Sequence, residues 1–586
     1  MSSAARSPQH LLEAARAWQA DDPDPATAAE LAALIARVEA GGDRAAEDEL
    51  ADAFAGLLEF GTAGLRGALG AGPNRMNRAV VIRAAAGLAA HLRAKVPAGA
   101  APAVVIGYDA RHNSDVFAAD TAAVMVAAGI EAMVLPKPLP TPVLAYAVRD
   151  LGTDAGVMVT ASHNPPQDNG YKVYLGGRVC TPEGTGVQIV PPADAEIAAQ
   201  IATVTSVASV PRADEGWVTL DENLVANYVD AATATLTADG PRKLSVVLTS
   251  LHGVGGATML AALRTAGFDD VNVVAAQADP DPDFPTVSFP NPEEPGAIDA
   301  ALALARQIGA DLVIANDPDA DRCAVAVPDP STAGAEHGGW RMLRGDELGA
   351  LLGLHLIRRG TLPETADGVP ATMANSIVSG RLLARIAQAH GLRHAQTLTG
   401  FKWIARVPGL VFGYEEAIGY CVAPQLVRDK DGISAGITVA EMAAGLKAAG
   451  RTLLDDLDDL ARRFGVHATD QLSLRVADLA LIGEAMARLR AHPPAELAGS
   501  PVVVRIDLAA PDAGDPAALP PTDGLHYETA DGLRVIVRPS GTEPKLKCYL
   551  EAVVPVGPEG LDAARADAAT VLASARSQLR EALALD

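Results

Sequence analysis

VVIGYDARHNSDVFAADTAAVMVAA, residues 104–128, and the run Gly156-Val157-Met158-Val159 downstream decide the fold class. Val104-Val105-Ile106 is a short, β-branched apolar run, the pattern of a buried strand. The Ala-rich stretch from Phe117 to Ala128 is long enough for a helix, and Val157-Met158-Val159 is strand-like again. Strand, helix and strand in that order predict an α/β unit with a parallel sheet.

The same alternation recurs along the chain. Leu244-Ser245-Val246-Val247-Leu248, a helix around Ala300 to Ile308, and Leu312-Val313-Ile314-Ala315 make a second unit. A third has helices around Leu348 to Leu356 and Leu382 to His390 and reaches the strand Leu410-Val411-Phe412. The end of the chain differs: Leu472 to Val476, Val502 to Val504, Leu533 to Val537 and Cys548 to Leu550 suggest an α+β lobe. At the other end Leu11, Leu12, Ala15 and Trp18 recur at helical spacing before the break Asp21-Asp22-Pro23-Asp24-Pro25. The expected division is a helical extension over 1–57, α/β domains over 58–215, 216–330 and 331–465, and an α+β domain over 466–586.

At 586 residues the chain exceeds one hydrophobic core, and roughly 150 residues per domain gives about four. With 49% hydrophobic residues it has ample material for packed layers, which excludes a disordered chain. The net charge of −25 argues against nucleic acid and anionic membrane as partners, because the long-range field repels both. Cys180, Cys323, Cys421 and Cys548 are scattered, with no CxxC pair, so neither a disulfide framework nor a zinc site is expected. The start, Met1-Ser2-Ser3-Ala4-Ala5-Arg6, has no apolar core, and no uncharged apolar stretch of about 18 residues occurs. A cytoplasmic protein, neither exported nor membrane-spanning, is expected.

Ligands of open parallel sheets bind beyond the carboxyl ends of the strands, so the loops after the apolar runs are the places to search. Asn316-Asp317-Pro318-Asp319-Ala320-Asp321-Arg322 follows Ala315. Carboxylates at i, i+2 and i+4 of an extended segment face one side, where three hard oxygens can converge on a divalent cation. An EF-hand would need Gly in place of Arg322 and Glu in place of Pro328, so that reading fails. The other reading is an acidic surface turn, but three carboxylates between two buried strands repel without a cation. Magnesium takes remaining ligands from phosphate and water, and Arg322 adds a positive charge beside such a phosphate.

Three more loops are unusual. Thr160-Ala161-Ser162-His163-Asn164-Pro165-Pro166 carries a serine that would be a good phosphoryl donor if phosphorylated beside magnesium, though the composition also suits an ordinary turn. Gly413-Tyr414-Glu415-Glu416-Ala417-Ile418-Gly419-Tyr420 ends a strand with paired carboxylates, able to accept hydrogen bonds from vicinal sugar hydroxyls or to cap a helix. Arg538-Pro539-Ser540-Gly541-Thr542-Glu543-Pro544-Lys545 combines an arginine, two hydroxyls and backbone amides around a glycine, an anion nest or a plain turn.

In this order and at these spacings the four loops resemble the α-D-phosphohexomutase superfamily of phosphoglucomutases and phosphomannomutases. The resemblance covers nearly the whole chain after residue 58. Thr160 to Pro165 is similar to its phosphoserine loop, Asp317 to Arg322 to its metal loop, Gly413 to Gly419 to its sugar-binding loop and Arg538 to Thr542 to its phosphate-binding loop. The resemblance implies three related α/β domains with mixed sheets and a C-terminal α+β domain around a central cleft. It implies a phosphorylated Ser162, one magnesium held by Asp317, Asp319, Asp321 and a phosphoserine oxygen, and a sugar bisphosphate as primer. Thr62, Arg66, His163, Lys172, Arg322, Thr399, Gly400, Glu415, Ala417, Lys430, Arg538, Ser540, Gly541 and Thr542 match further contact positions. Lys172 and His163 are equal candidates for proton transfer, and either could instead orient phosphate.

The implied activity is interconversion of a sugar 1-phosphate with the terminal sugar phosphate, glucose being the expected sugar. Two departures resemble a longer branch with an amino-terminal extension, which includes pentose enzymes: Ala417 stands where many relatives carry a serine, and Tyr414 and Tyr420 flank it. A mannose or pentose substrate is the alternative. A phosphatase needs no second phosphate grip such as the Arg538 loop, and a sugar-phosphate sensor needs no phosphoryl donor such as Ser162.

Overall fold

The computed structural model describes residues 8–61, 64–97, 99–332, 338–360, 362–366, 368–476, 480–510, 519–540 and 545–585. The contacts within the chain gather into two compact units, residues 1–342 with 419–444, and residues 343–418 with 445–586.

The first unit begins with helices Pro8–Asp21, Pro25–Ala40 and Arg44–Ala53. Asp24 and Asp43 cap the second and third by accepting hydrogen bonds from Ala26 N and Ala46 N, and Pro25 sits where a missing N–H costs nothing. Their apolar faces close around Ala15, Leu31, Leu34, Ile35, Leu50 and Phe54. Asp21 ties the first helix back to the Ser206 hydroxyl and Val207 N.

In the first sheet Ala103–Tyr108 lies between Glu131–Val134 and Ala155–Val159, all parallel. Asp168–Leu175 then pairs antiparallel with Ala155–Val159, and Leu65–Ala68 antiparallel beyond it. The parallel sheet read from the strand, helix, strand order therefore holds only on one side, which ends in Val218–Thr219. A connection as short as residues 160–167 reverses the chain, since a parallel crossover needs a dozen residues or more. The second sheet repeats the plan: Val246–Thr249 pairs parallel with Val271–Val273 and Leu312–Ala315, and the short loop after Ala315 returns as antiparallel Ala324–Pro328. Two loops, each at the carboxyl end of a buried parallel strand, are thereby placed alike.

The second unit holds parallel strands Arg393–Thr397, Thr372–Ser376 and Leu410–Glu415. Its antiparallel sheet runs Val466–Arg475, Lys545–Val554, Arg534–Pro539, Leu525–Thr529, Ser500–Asp507 and Glu496–Leu497. Helix Leu561–Leu583 covers this sheet with Ala568, Leu572, Ala575 and Leu579. Thr372–Ser376, Arg393–Thr397 and Leu525–Thr529 escape the hydrophobic pattern because Asn375, His394, Gln396 and His526 break it. The fold is α/β, with mixed sheets and a C-terminal domain built on an antiparallel sheet. Among the described residues no helix is long and apolar enough to cross a membrane. Cys323, Cys421 and Cys548 are buried free thiols, and Cys180 is a half-buried one.

Candidate active site

Ser162 sits just past the strand Ala155–Val159, 3% exposed and at φ 53°. A left-handed conformation costs a non-glycine residue about 1–2 kcal/mol, so the surroundings must impose it. They do. Ser162 N donates to Thr160 Oγ1 at 2.9 Å. The Arg111 guanidinium donates to the carbonyls of Ser162 at 2.7 Å, Pro165 at 2.8 Å and Asp168 at 3.1 Å, and also to that of Asn164. Arg111 is buried and balanced by Asp109 at 3.4 Å. Sequence reasoning missed this arginine; its one available signal is Asp109-Ala110-Arg111 directly after the strand Ala103–Tyr108.

The serine hydroxyl donates to Asp317 Oδ2 at 2.9 Å and lies 3.3 Å from His163 Nδ1. Asp317, Asp319 and Asp321 are buried, with one ligand oxygen from each lying within 4.8 Å of the others. They converge through a turn with Ala320 at φ 55°, and not through the alternation of an extended segment. The loop must double back from Leu312–Ala315 into antiparallel Ala324–Pro328, which an extended segment cannot do. Asp317 Oδ1 accepts Arg322 N at 3.0 Å, closing the turn.

Lysines bind the outer oxygens of this group. Lys172 Nζ donates to Asp319 Oδ2 at 2.7 Å and Asp321 Oδ2 at 3.0 Å, and Lys430 Nζ lies 3.2 Å from Asp321 Oδ2. Thr141 Oγ1 donates to Asp319 Oδ2 at 2.6 Å, a contact the sequence did not announce. Among the described residues Asp319 Oδ1 and Asp321 Oδ1 are buried without a hydrogen-bond partner. Burial, then Asp319 and Asp321, push the Asp317 carboxyl well above the usual carboxylate range. Burial raises Asp319 and Asp321 too, but Lys172 and Thr141 on Asp319, and Lys172, Lys430 and Arg322 on Asp321, outweigh it and hold both below that range. Hard oxygens only, two of them orphaned, and a third carboxyl disfavoured as an anion by its neighbours fit a divalent cation such as magnesium.

The charged side chains near Ser162 have separate roles. Burial works against the Lys172 ammonium, yet Asp319 and Asp321 hold its pKa above the ordinary lysine value, so it stays a cation. Burial, with help from Arg322 and Arg66, pushes His163 well below the usual imidazole value, so it is neutral. Arg66 reaches the loop through Asn164 Oδ1 at 3.3 Å. Lys430 is fixed by its neighbours: Asp429 Oδ2 accepts from Tyr174 at 2.8 Å and Gln188 at 2.7 Å, and Asp431 Oδ1 accepts from Tyr228 at 2.7 Å. Gly432 lies so close under the metal loop that a Cβ there would meet the Arg322 carbonyl at 2.2 Å. Ser162, His163, Lys172, Arg66, Arg322, Lys430 and the three aspartates thus lie in one unit, gathered around Ser162 and the aspartate turn.

Other expected residues lie in the second unit. Glu415 Oε1 accepts Gly400 N at 2.8 Å, which puts Thr399-Gly400 beside the Glu415 carboxylate. Ala417 follows in a turn that Ile418 completes at φ 53°. Arg538 is near the end of Arg534–Pro539, and Ser540 N donates to Lys545 O at 2.8 Å. Tyr549 lies near these regions, within the fields of Glu416, Arg538 and Glu415. Thr62, Gly541 and Thr542 lie outside the described residues.

Behind Glu415, Tyr414 donates to buried Asp346 Oδ1 at 2.9 Å. Burial pushes this carboxyl up to about 7. A raised folded pKa means stability that is full below the unfolded value and lost as pH rises through about 7, an effect of order 4 kcal/mol. Asp346→Asn is therefore expected to match the parent protein in denaturant melts near pH 4, to gain on it progressively as pH rises toward about 7, and to keep a constant advantage above that. A stability difference that does not change across this range contradicts the assignment.

Comparison with known proteins agrees over most of the chain. The chain matches the family "Phosphoglucomutase/phosphomannomutase, alpha/beta/alpha domain I" over residues 57–208, domain II over 226–332, domain III over 344–464 and the C-terminal domain over 473–557. It is 47% identical to a Haemophilus influenzae protein named "Probable phosphomannomutase", over 81% of this chain and 93% of that one. It is 34% identical to the Mus musculus phosphopentomutase, over 92% and 90%. The crystal structure of a phosphoglucomutase/phosphomannomutase family protein from Burkholderia thailandensis shares the fold, with TM-score 0.64 and 20% identity over 89% of this chain and 97% of that one. With every domain matched in order and close relatives spanning nearly its whole length, the chain belongs to the phosphoglucomutase/phosphomannomutase family and is an isomerase of the phosphohexomutase type.

Proposed function

We propose that this enzyme interconverts a sugar 1-phosphate and the terminal phosphate of the same sugar through a phosphorylated Ser162 and a sugar bisphosphate. The observation that carries this reading is the Ser162 hydroxyl, buried and 2.9 Å from a carboxylate of the three-aspartate group. The P–O bond to Ser162 Oγ breaks, a P–O bond to a free sugar hydroxyl forms, and the proton of that hydroxyl is carried off by a nearby base. The bisphosphate then reorients and returns its other phosphoryl group to Ser162.

Asp317, Asp319, Asp321 and a phosphoserine oxygen would hold magnesium, which when bound neutralises charge on the transferring phosphoryl oxygens. His163, neutral and beside Ser162 Oγ, is suited to move the proton. Lys172, kept cationic, and Arg66 and Arg322 supply fixed positive charge toward the phosphoryl group. Arg111 keeps Ser162 in place through its carbonyl contacts. Glu415 with Thr399-Gly400 would grip sugar hydroxyls, the loop from Arg538 to Thr542 would hold the non-reacting phosphate, and Lys430, beside Asp321, is assigned to substrate contact. Thr62 and Ala417 are assigned to substrate contact on the resemblance alone. The same reading divides the chain into a helical extension over 1–57 and domains over 58–215, 216–330, 331–465 and 466–586; the bounds of the four family matches support it.

Glucose is the proposed sugar. A pentose is the second reading, favoured by the absence of a hydroxyl at Ala417 and by the mouse phosphopentomutase, whose likeness spans 92% of this chain. Initial rates with glucose 1-phosphate, mannose 1-phosphate and ribose 1-phosphate, with magnesium and a trace of bisphosphate primer, separate the readings. The glucose substrate is expected to turn over fastest. A ribose or mannose preference would keep the mechanism and change the sugar, and no turnover of any would overturn the reading.

A further inference from the structure

Glu415 ends the strand Leu410–Glu415 and Glu416 opens the turn after it. Glu415 faces Gly400 N. Glu416 faces the other way: its Oε2 accepts from the Ser376 hydroxyl at 3.0 Å and the Ser379 hydroxyl at 2.9 Å, and its own N donates to Ser379 Oγ at 3.2 Å. The two serines are buried and their hydroxyl oxygens are 2.8 Å apart.

The segment that carries these serines is also held from the C-terminal sheet. Arg534 donates to Ile377 O at 3.2 Å and to Ser379 O at 2.5 Å. It is itself buried and balanced by Glu551 at 3.2 Å, which also receives Arg381 at 2.7 Å and His467 at 2.9 Å. Arg534 opens the strand Arg534–Pro539, and Arg538 stands near its other end. Ile377 and Val378 pack on Ile536 and Tyr549 beneath. A continuous path of hydrogen bonds and backbone therefore runs from Glu416 through Ser379 and Arg534 to Arg538.

We propose that Glu416 is a positioning residue and not a second sugar ligand: through Ser376, Ser379 and Arg534 it fixes the Glu415 loop to the strand that carries Arg538. The inference rests on the sugar and phosphate roles given above to Glu415 and Arg538. One enzyme must grip sugar hydroxyls and the far phosphate at a set spacing, and small misplacement is costly in rate and affinity. A largely buried hydrogen-bond network holds such a spacing better than two independent loops.

The test uses Ser379→Ala, Glu416→Ala and Glu416→Gln in the full-length enzyme, read by KM, kcat and amide hydrogen exchange of residues 413–418 without ligand. Ser379→Ala and Glu416→Ala are each expected to raise KM about tenfold, with faster exchange of those amides. Glu416→Gln keeps an oxygen that accepts from the serines and is expected to recover most of the KM and of the protection. Equal loss in Glu416→Gln and Glu416→Ala would show the charge acting on substrate and overturn the proposal. So would Ser379→Ala with unchanged KM and exchange. The exchange readout needs no turnover, so altered exchange in an enzyme that proves inactive on every sugar phosphate would retain the latch and reject the mutase reading.

Discussion

Replacing Ser162 with alanine is expected to lower mutase turnover by about a thousandfold or more, while the protein still folds. The effect is large because no neighbouring hydroxyl is placed to substitute: Thr160 Oγ1 is engaged with Ser162 N, and Thr141 Oγ1 with Asp319. Folding survives because Arg111 grips the loop through carbonyls that alanine retains. A coupled assay and calorimetric melts read the two halves of the prediction. A variant that kept most of its activity would remove Ser162 from the chemistry.

Loss of the cation is expected to be nearly as severe. Chelation should abolish turnover, and added magnesium should restore it. Asp319→Asn is expected to lose about a thousandfold even in excess magnesium, since one of three charged ligands is gone. A readout independent of turnover is available. Magnesium at about a hundred times its Kd should stabilise the parent protein by about 2.7 kcal/mol. The same addition should leave the melt of Asp319→Asn nearly unmoved. An undiminished magnesium shift in that variant would place the cation elsewhere.

The two α/β sheets of the first unit were legible because Val104–Ile106, Val157–Val159, Val246–Leu248 and Leu312–Ala315 are pure apolar runs, as strands buried on both faces must be. Thr372–Ser376 was not legible, because its Asn375 and Ser376 are buried for hydrogen bonds to Gly380 O and the Glu416 carboxylate and break the pattern. The antiparallel return after residues 160–167 was set by the shortness of the connection, a feature present in the sequence but outweighed by the strand and helix alternation.

The candidate site divides along the same line. Ser162 and the three aspartates were readable because their chemistry lies in contiguous segments. Arg111, Thr141, Ser379 and Arg534 were not, because each acts on a loop remote in sequence; only Arg111 has a local signal, its place directly after the strand Ala103–Tyr108. Ala320 shows how a right expectation can have the wrong cause: the carboxylates converge, but by a left-handed turn. Lys172 and His163 were equal candidates for proton transfer in the sequence. Only their surroundings separate them, two aspartates around the lysine, and burial with three arginines around the histidine.

The central claim is that Ser162 carries the phosphoryl group between the two ends of the sugar. Its most direct test is peptide mass spectrometry of the enzyme after incubation with glucose 1,6-bisphosphate and magnesium, before and after a chase with excess glucose 6-phosphate and chelator-free removal of sugars. One phosphoryl group on the peptide containing Ser162, transferred to sugar during the chase, is the predicted result. Undiminished turnover with Ser162 unmodified, or with the phosphoryl group on another residue, would contradict it.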